Sequence, residues 1–172
     1  ESETGLFMIT MEARNDLFKD KSAGAPFTIY VYGKQWSTRA YAVTPGGKVT
    51  DSFSLGLFDN RKYAIRVDGP NGFMREYRGD AAITVDMKYS VDKPSIDIQI
   101  SDARKLKFEI VDNAYSGETQ LIDGGSITLD LSKTSGWYDS TILSDNFEFH
   151  FAGRVETGKE STTDPALDGP AF

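Results

Sequence analysis

Apolar and polar residues alternate with period two through most of this 172-residue chain. That is the period of strands, whose successive side chains point to opposite faces. Phe27-Thr28-Ile29-Tyr30-Val31-Tyr32 is the cleanest run and is rich in residues that suit a pleated surface. Pro26 in front of it pushes the preceding residue towards extended geometry. Reading the same alternation along the chain predicts strands over 6–13, 27–32, 38–43, 49–55, 62–67, 73–79, 82–89, 95–101, 106–111, 118–122 and 147–153. Arg14 to Pro26 interrupts the first two, and Gly33 to Ser37 reads as a loop carrying Trp36. No stretch keeps a helical period over three turns, so the pattern is that of an all-β protein.

The pattern also repeats. Val43-Thr44-Pro45-Gly46-Gly47-Lys48-Val49-Thr50-Asp51 is echoed by Leu121-Ile122-Asp123-Gly124-Gly125-Ser126-Ile127-Thr128-Leu129, in each case an extended run, a glycine pair and an alternating strand. Leu106 to Val111 matches Phe27 to Tyr32, and Phe147 to Gly153 matches Phe73 to Gly79. The expected fold is two tandem immunoglobulin-like antiparallel β-sandwich modules related by internal duplication. The first occupies 1–80 and the second 95–155; a connecting segment at 81–94 has strand-like alternation of its own, and a loosely held tail follows at 156–172. Gly46, Gly47, Gly124 and Gly125 read as hairpin corners, and Gly69, Pro70, Asn71 and Gly72 form the strongest turn signal in the chain.

Composition narrows the chemistry. There are no cysteines, which removes disulfides, thiol nucleophiles and thiolate metal sites. A net charge of −7 argues against nucleic acid and against an electrostatic dock on anionic lipid. No apolar run has the length of a membrane-spanning helix, and Glu1-Ser2-Glu3-Thr4-Gly5 is neither a signal peptide nor a natural initiator, so the chain reads as a domain fragment or processed product. The single histidine, His150, shares a strand face with Glu148 while Phe147, Phe149 and Phe151 take the other. An acid/base pair is one reading of that face and an ordinary polar surface opposite a phenylalanine face is the other, which the alternation favours. No Gly-x-Ser-x-Gly elbow supplies a nucleophile, and the Asp and Asn residues at 59–60, 68, 102, 112–113, 123 and 145–146 lack calcium-loop spacing and suit turns. The Gly-Gly pairs are followed by strands, which does not fit a phosphate loop. Neither a catalytic residue, a metal nor a cofactor is therefore expected. Tyr30, Tyr32, Trp36, Phe58, Phe73, Tyr115, Trp137 and Tyr138 are more aromatics than two small cores need. Exposed rings near loops could stack on sugars or enter a lipid interface, with Trp36, Tyr115 and Trp137 the candidate binding residues; the other reading is that most of the set fills the cores or the seam between the halves.

Several segments together resemble a known family. These are Tyr41-Ala42-Val43-Thr44-Pro45-Gly46-Gly47, then Tyr63-x-Ile65-Arg66-Val67-x-Gly69-Pro70-Asn71-Gly72-Phe73-x-Arg75-x-Tyr77-Arg78-Gly79, then Asp112-Asn113-Ala114-Tyr115 and Gly136-Trp137-Tyr138-Asp139, and finally Phe151-Ala152-Gly153-Arg154-Val155-Glu156-Thr157-Gly158 with Ser161 and Asp164-Pro165. They are similar to the tandem C-terminal domains of bacterial phosphocholine-preferring phospholipase C, with Arg154 standing where that family usually carries histidine. The resemblance implies a non-catalytic accessory region of an exported, secreted or periplasmic enzyme. Its implied partner is an alkaline-phosphatase-like catalytic domain of the same polypeptide, with a phospholipid surface as a second contact. None of that family's catalytic positions falls in this region. The alternative from the residues alone is a carbohydrate-binding or adhesin-type module.

Overall fold

The computed structural model describes residues 5–79, 83–102, 105–160 and 162–167. Ser161 and the last residues of the expected tail, 168–172, lie outside them. Every regular element described is a strand or a single 3-10 turn, and the strand pairings within each half of the chain are antiparallel. The fold is all-β. The chain divides into two compact units, Glu1–Ala81 and Ala82–Phe172.

In the first unit β1 (Leu6–Glu12) pairs with β4 (Lys48–Ser54), while β2 (Ala25–Tyr32), β3 (Trp36–Val43), β5 (Tyr63–Asp68) and β6 (Met74–Gly79) pair in the order β6-β5-β2-β3. One buried cluster joins the two ladders. Ile9 and Met11 of β1 and Phe53 of β4 share it with Phe27, Ile29 and Val31 of β2 and with Tyr63, Ile65 and Val67 of β5. Alternation is what allows this, because the same strands place Thr28, Tyr30, Arg66 and Asp68 on the opposite face. Between β5 and β6 the chain turns through Gly69, Pro70, Asn71 and Gly72, with φ of 55° at Asn71 and 73° at Gly72. The Gly69 amide donates to Phe73 O at 2.8 Å, and a Cβ at Gly69 would lie 2.9 Å from the Phe73 ring and 3.0 Å from the Phe27 ring. Close approach, not backbone angle, requires glycine there.

The second unit contains β7 (Ile83–Ser90), β8 (Ser95–Asp102), β9 (Phe108–Asp112), β10 (Gln120–Ile122), β11 (Gly125–Asp130), β12 (Trp137–Ser144) and β13 (Phe147–Arg154). Its pairing orders are β11-β8-β7 and β10-β9-β12-β13. Ile96, Ile98 and Ile100 of β8, Phe108 and Ile110 of β9, Ile142 of β12 and Phe147, Phe149 and Phe151 of β13 are its buried residues of largest consequence. β7 lies in the stretch expected to join the halves; it pairs with β8 along its full length, from Ile83↔Asp102 to Ser90↔Ser95.

The glycine pairs are not hairpin corners, which corrects the sequence expectation. β3 leaves Val43 paired with β2, and after Gly46-Gly47 the chain continues as β4 paired with β1. Likewise β10 pairs with β9, and β11, which begins at Gly125, pairs with β8. Each pair therefore carries the chain from one ladder to another. The physical reason lies in the hydrogen bonds: Gly46 N donates to Ala13 O at 2.6 Å and Ala13 N to Gly47 O at 3.1 Å, which extends the β1–β4 ladder at the expense of β3–β4 pairing. Positive φ at Gly46 (72°), Gly124 (75°) and Gly125 (88°) permits the change of direction.

Candidate functional site

Two groups of side chains stand out, one in each unit. In the first unit, Tyr30 and Tyr32 project from the outer face of β2, and the β2–β3 register places Tyr32 opposite Trp36 and Tyr30 opposite Thr38. Trp36 is 65% exposed and Tyr32 37%. The Tyr30 and Trp36 ring centroids are 6.5 Å apart. β5 sets Arg66 opposite Tyr30, and the Arg78 guanidinium of β6 lies 5.5 Å from the Tyr32 ring centroid. Each guanidinium already has an acid: Arg66 Nε donates to Asp68 at 2.8 Å, and Arg78 Nε to Glu76 at 2.7 Å. The face thus combines exposed rings with internally neutralised charges.

The hairpin end of this face is fixed by a second segment. Lys34 N donates to Leu57 O at 2.9 Å, and Lys34 Nζ reaches Gly56 O at 3.2 Å. A Cβ at Gly33 would sit 2.6 Å from Leu57 O, so glycine allows the contact. Leu57 itself is 43% exposed. Trp36 is not in a loop as expected but is the first residue of β3; only residues 33–35 form the connection. The reason is that Tyr32 and Trp36 close the ladder as a pair, an arrangement that aromatic side chains favour. Tyr30 and Tyr32 belong to the aromatic set that the sequence offers but not to its candidate binding residues, and Arg66 and Arg78 belong to neither. The signal available was the period itself, which puts Tyr30 and Tyr32 opposite the Ile29 and Val31 face.

On the inner side of the same ladder, Arg39, Tyr41 and Asp51 link β3 to β4. Tyr41 Oη donates a short hydrogen bond to Asp51, Arg39 Nη1 donates to Asp51 at 2.6 Å, and the Arg39 guanidinium lies 4.6 Å from the Phe53 ring centroid. Burial raises the Asp51 carboxyl, but the bonds from Tyr41, Arg39 and the Ser52 amide outweigh it and hold the group below the usual carboxylate value. Burial, reinforced by Asp51, pushes the Tyr41 hydroxyl up.

In the second unit, Tyr115 and Trp137 are half-buried, and both hold the chain that follows β13. Tyr115 Oη donates to Asp164 at 2.9 Å and Trp137 Nε1 to Thr162 O at 3.0 Å. Burial first, then the Asp164 bond, raises the Tyr115 hydroxyl well above its usual range. Arg154 lies 5.9 Å from the Trp137 ring centroid and bonds Glu156 at 2.9 Å and Ser135 O at 3.2 Å. His150 is 2.7 Å from Asp139, and the Asn113 side-chain amide donates to the same carboxylate at 2.8 Å and to Thr141 at 2.9 Å. Glu148 is two residues away along β13, opposite Leu143. Asp112 accepts from the amides of Ala114, Tyr115 and Gly117 at 3.0, 2.8 and 2.9 Å, a turn that uses the carboxylate for local backbone bonds. No helix among the described residues is long and apolar enough to cross a membrane.

With this geometry in hand, comparison with known proteins identifies the family. Residues 3–80 match the family described as bacterial phospholipase C, C-terminal domain, and this part of the chain belongs to that family. The chain is 28% identical to a non-hemolytic phospholipase C of Burkholderia pseudomallei over 97% of its own length and 25% of the relative's. It is 31% identical to a hemolytic phospholipase C of Pseudomonas aeruginosa, over 72% of this chain and 20% of that one. A non-hemolytic phospholipase C of the same organism is 23% identical over 84% of the chain and 24% of the relative. The chain therefore spans about a quarter of the length of the curated relatives it matches. A solved structure, the CD2-binding domain of CD58, aligns over 91% of the chain and 94% of its own at 8% identity with a TM-score of 0.32, too low to bear on fold or function.

Proposed function

We propose that this chain is a non-catalytic accessory region of a bacterial phospholipase C, two copies of one β scaffold that support an alkaline-phosphatase-like catalytic domain of the same polypeptide and its contact with phospholipid. The observation that carries the reading is the alignment of 97% of the chain with only 25% of a phospholipase C, which leaves most of such an enzyme to house the chemistry. The matching order β6-β5-β2-β3 in one unit and β13-β12-β9-β10 in the other supports the duplication. The one histidine is engaged by Asp139, which Asn113 also occupies, as a structural bond between strands would be. The family resemblance implies export from a bacterial cell.

The test is hydrolysis by the 172-residue chain alone, given phosphatidylcholine or a chromogenic phosphocholine ester with zinc or calcium added. The expected result is product no higher than in the protein-free blank. Turnover that disappears in His150→Ala would contradict the reading. A carbohydrate-binding or adhesin-type module is the second reading, and the observation favouring it is the exposed Trp36 ring beside Tyr30.

A further inference from the structure

We propose that the hairpin end of the first unit, built from Tyr32, Lys34, Trp36 and Leu57 with Tyr30 and Arg78 behind them, is a contact surface for a zwitterionic phospholipid bilayer. The inference rests on the accessory reading above and supplies the place of its lipid contact. Trp36, Tyr32 and Leu57 expose 65, 37 and 43% of their surface. They are brought together by the Tyr32↔Trp36 pairing and by the Lys34 N to Leu57 O bond. A single exposed apolar residue needs no explanation, but two amphipathic rings and a leucine at one strand turn do. Trp and Tyr suit the boundary between acyl chains and headgroups, where an apolar ring and a polar edge are both satisfied. Lys34, on a long apolar stem, keeps its ammonium in the headgroup layer while its neighbours enter.

Charge selects the lipid. Arg66 is neutralised by Asp68 and Arg78 by Glu76, while the Lys34 ammonium donates to the Gly56 carbonyl. Its two guanidiniums are thus internally compensated, so the surface is not polybasic, and it sits on a chain of net charge −7. Polybasic attraction to anionic lipid is absent from such a surface, and the whole-chain charge opposes it. Neutral rings entering a neutral interface depend on buried apolar area and little on ionic strength.

The experiment uses the two tryptophans as separate reporters. Trp137→Phe leaves Trp36 as the only tryptophan, and Trp36→Phe leaves Trp137. Each chain is mixed with phosphatidylcholine vesicles, plain or with brominated acyl chains. Trp36 emission is expected to shift to the blue and to be quenched by the brominated lipid, at low and high salt alike, while Trp137 emission stays unchanged. Replacing zwitterionic by anionic lipid weakens the effect. The double change Trp36→Asp with Leu57→Asp is expected to lower vesicle binding by about tenfold or more, with an unchanged far-ultraviolet circular dichroism spectrum. Vesicle binding without quenching of Trp36, no vesicle binding by the folded chain, or Trp36 responding to soluble oligosaccharide and not to lipid would each overturn the assignment. Failure here leaves the hydrolysis result above untouched, so the two readings fall separately.

Discussion

At the scale of single residues, the structure assigns unequal work to groups that look alike in sequence. Asp51 is one of many aspartates, yet it accepts from Tyr41 and Arg39 at the open side of the first core. Asp51→Asn is expected to destabilise the chain by about 1–3 kcal/mol, since it removes the charge from two bonds and leaves their donors poorly matched. The effect should depend on pH in one direction. Because the folded carboxyl titrates below its unfolded value, its contribution is complete above the unfolded carboxylate pKa and is lost as pH falls through the lower folded one. Unfolding midpoints taken from neutral to acid pH should therefore converge for the parent and Asp51→Asn. Midpoints that stay equally far apart would show that charge plays no part. Tyr115→Phe removes the donor to Asp164, and faster hydrogen exchange or proteolysis confined to residues 156–160 and 162–167 is the expected result. None of these partnerships was legible beforehand, because Tyr41 and Asp51, or Tyr115 and Asp164, meet only after the strands have paired.

At the scale of elements, much more was legible. Alternation located β2, β5 and β13 nearly to the residue, since a half-buried strand must alternate and Phe149 or Ile65 cannot face water without cost. The Gly69 to Gly72 turn was readable for the same local reason, as Asn71 and Gly72 suit positive φ. Gly69→Ala tests the tightness of that turn: the new methyl meets the Phe73 and Phe27 rings, and a loss of about 1–3 kcal/mol in thermal unfolding is expected. A neutral result would mean that the rings, edge to face at 5.9 Å, have room to give. Pairing was not readable. Gly46-Gly47 and Gly124-Gly125 have the composition of hairpin turns, and only hydrogen bonds made by distant residues, Ala13 among them, show that they carry the chain between ladders. Gly33, Lys34 and Gln35 make the stretch before Trp36 read as a loop; its cross-strand partner Tyr32 makes Trp36 part of a strand.

At the scale of the molecule, two all-β units of similar strand order are joined in one chain, and a bacterial phospholipase C C-terminal domain accounts for the first of them. The candidate site was half visible in the sequence: Trp36 was identified, but Tyr30, Tyr32, Arg66 and Arg78 acquire meaning only from the shared outer face of three strands. The central claim is that this region supports the reaction without performing it, and deletion tests that most directly. A phospholipase C carrying this region is compared with the same enzyme lacking it, both folded, on a soluble phosphocholine ester and on bilayer phosphatidylcholine. The expected result is that turnover of the soluble ester is kept within about twofold while turnover on bilayers falls by about tenfold, a selective loss of productive binding to the surface. Loss of both activities together in a folded, truncated enzyme would contradict the account and put part of the catalytic machinery in this chain.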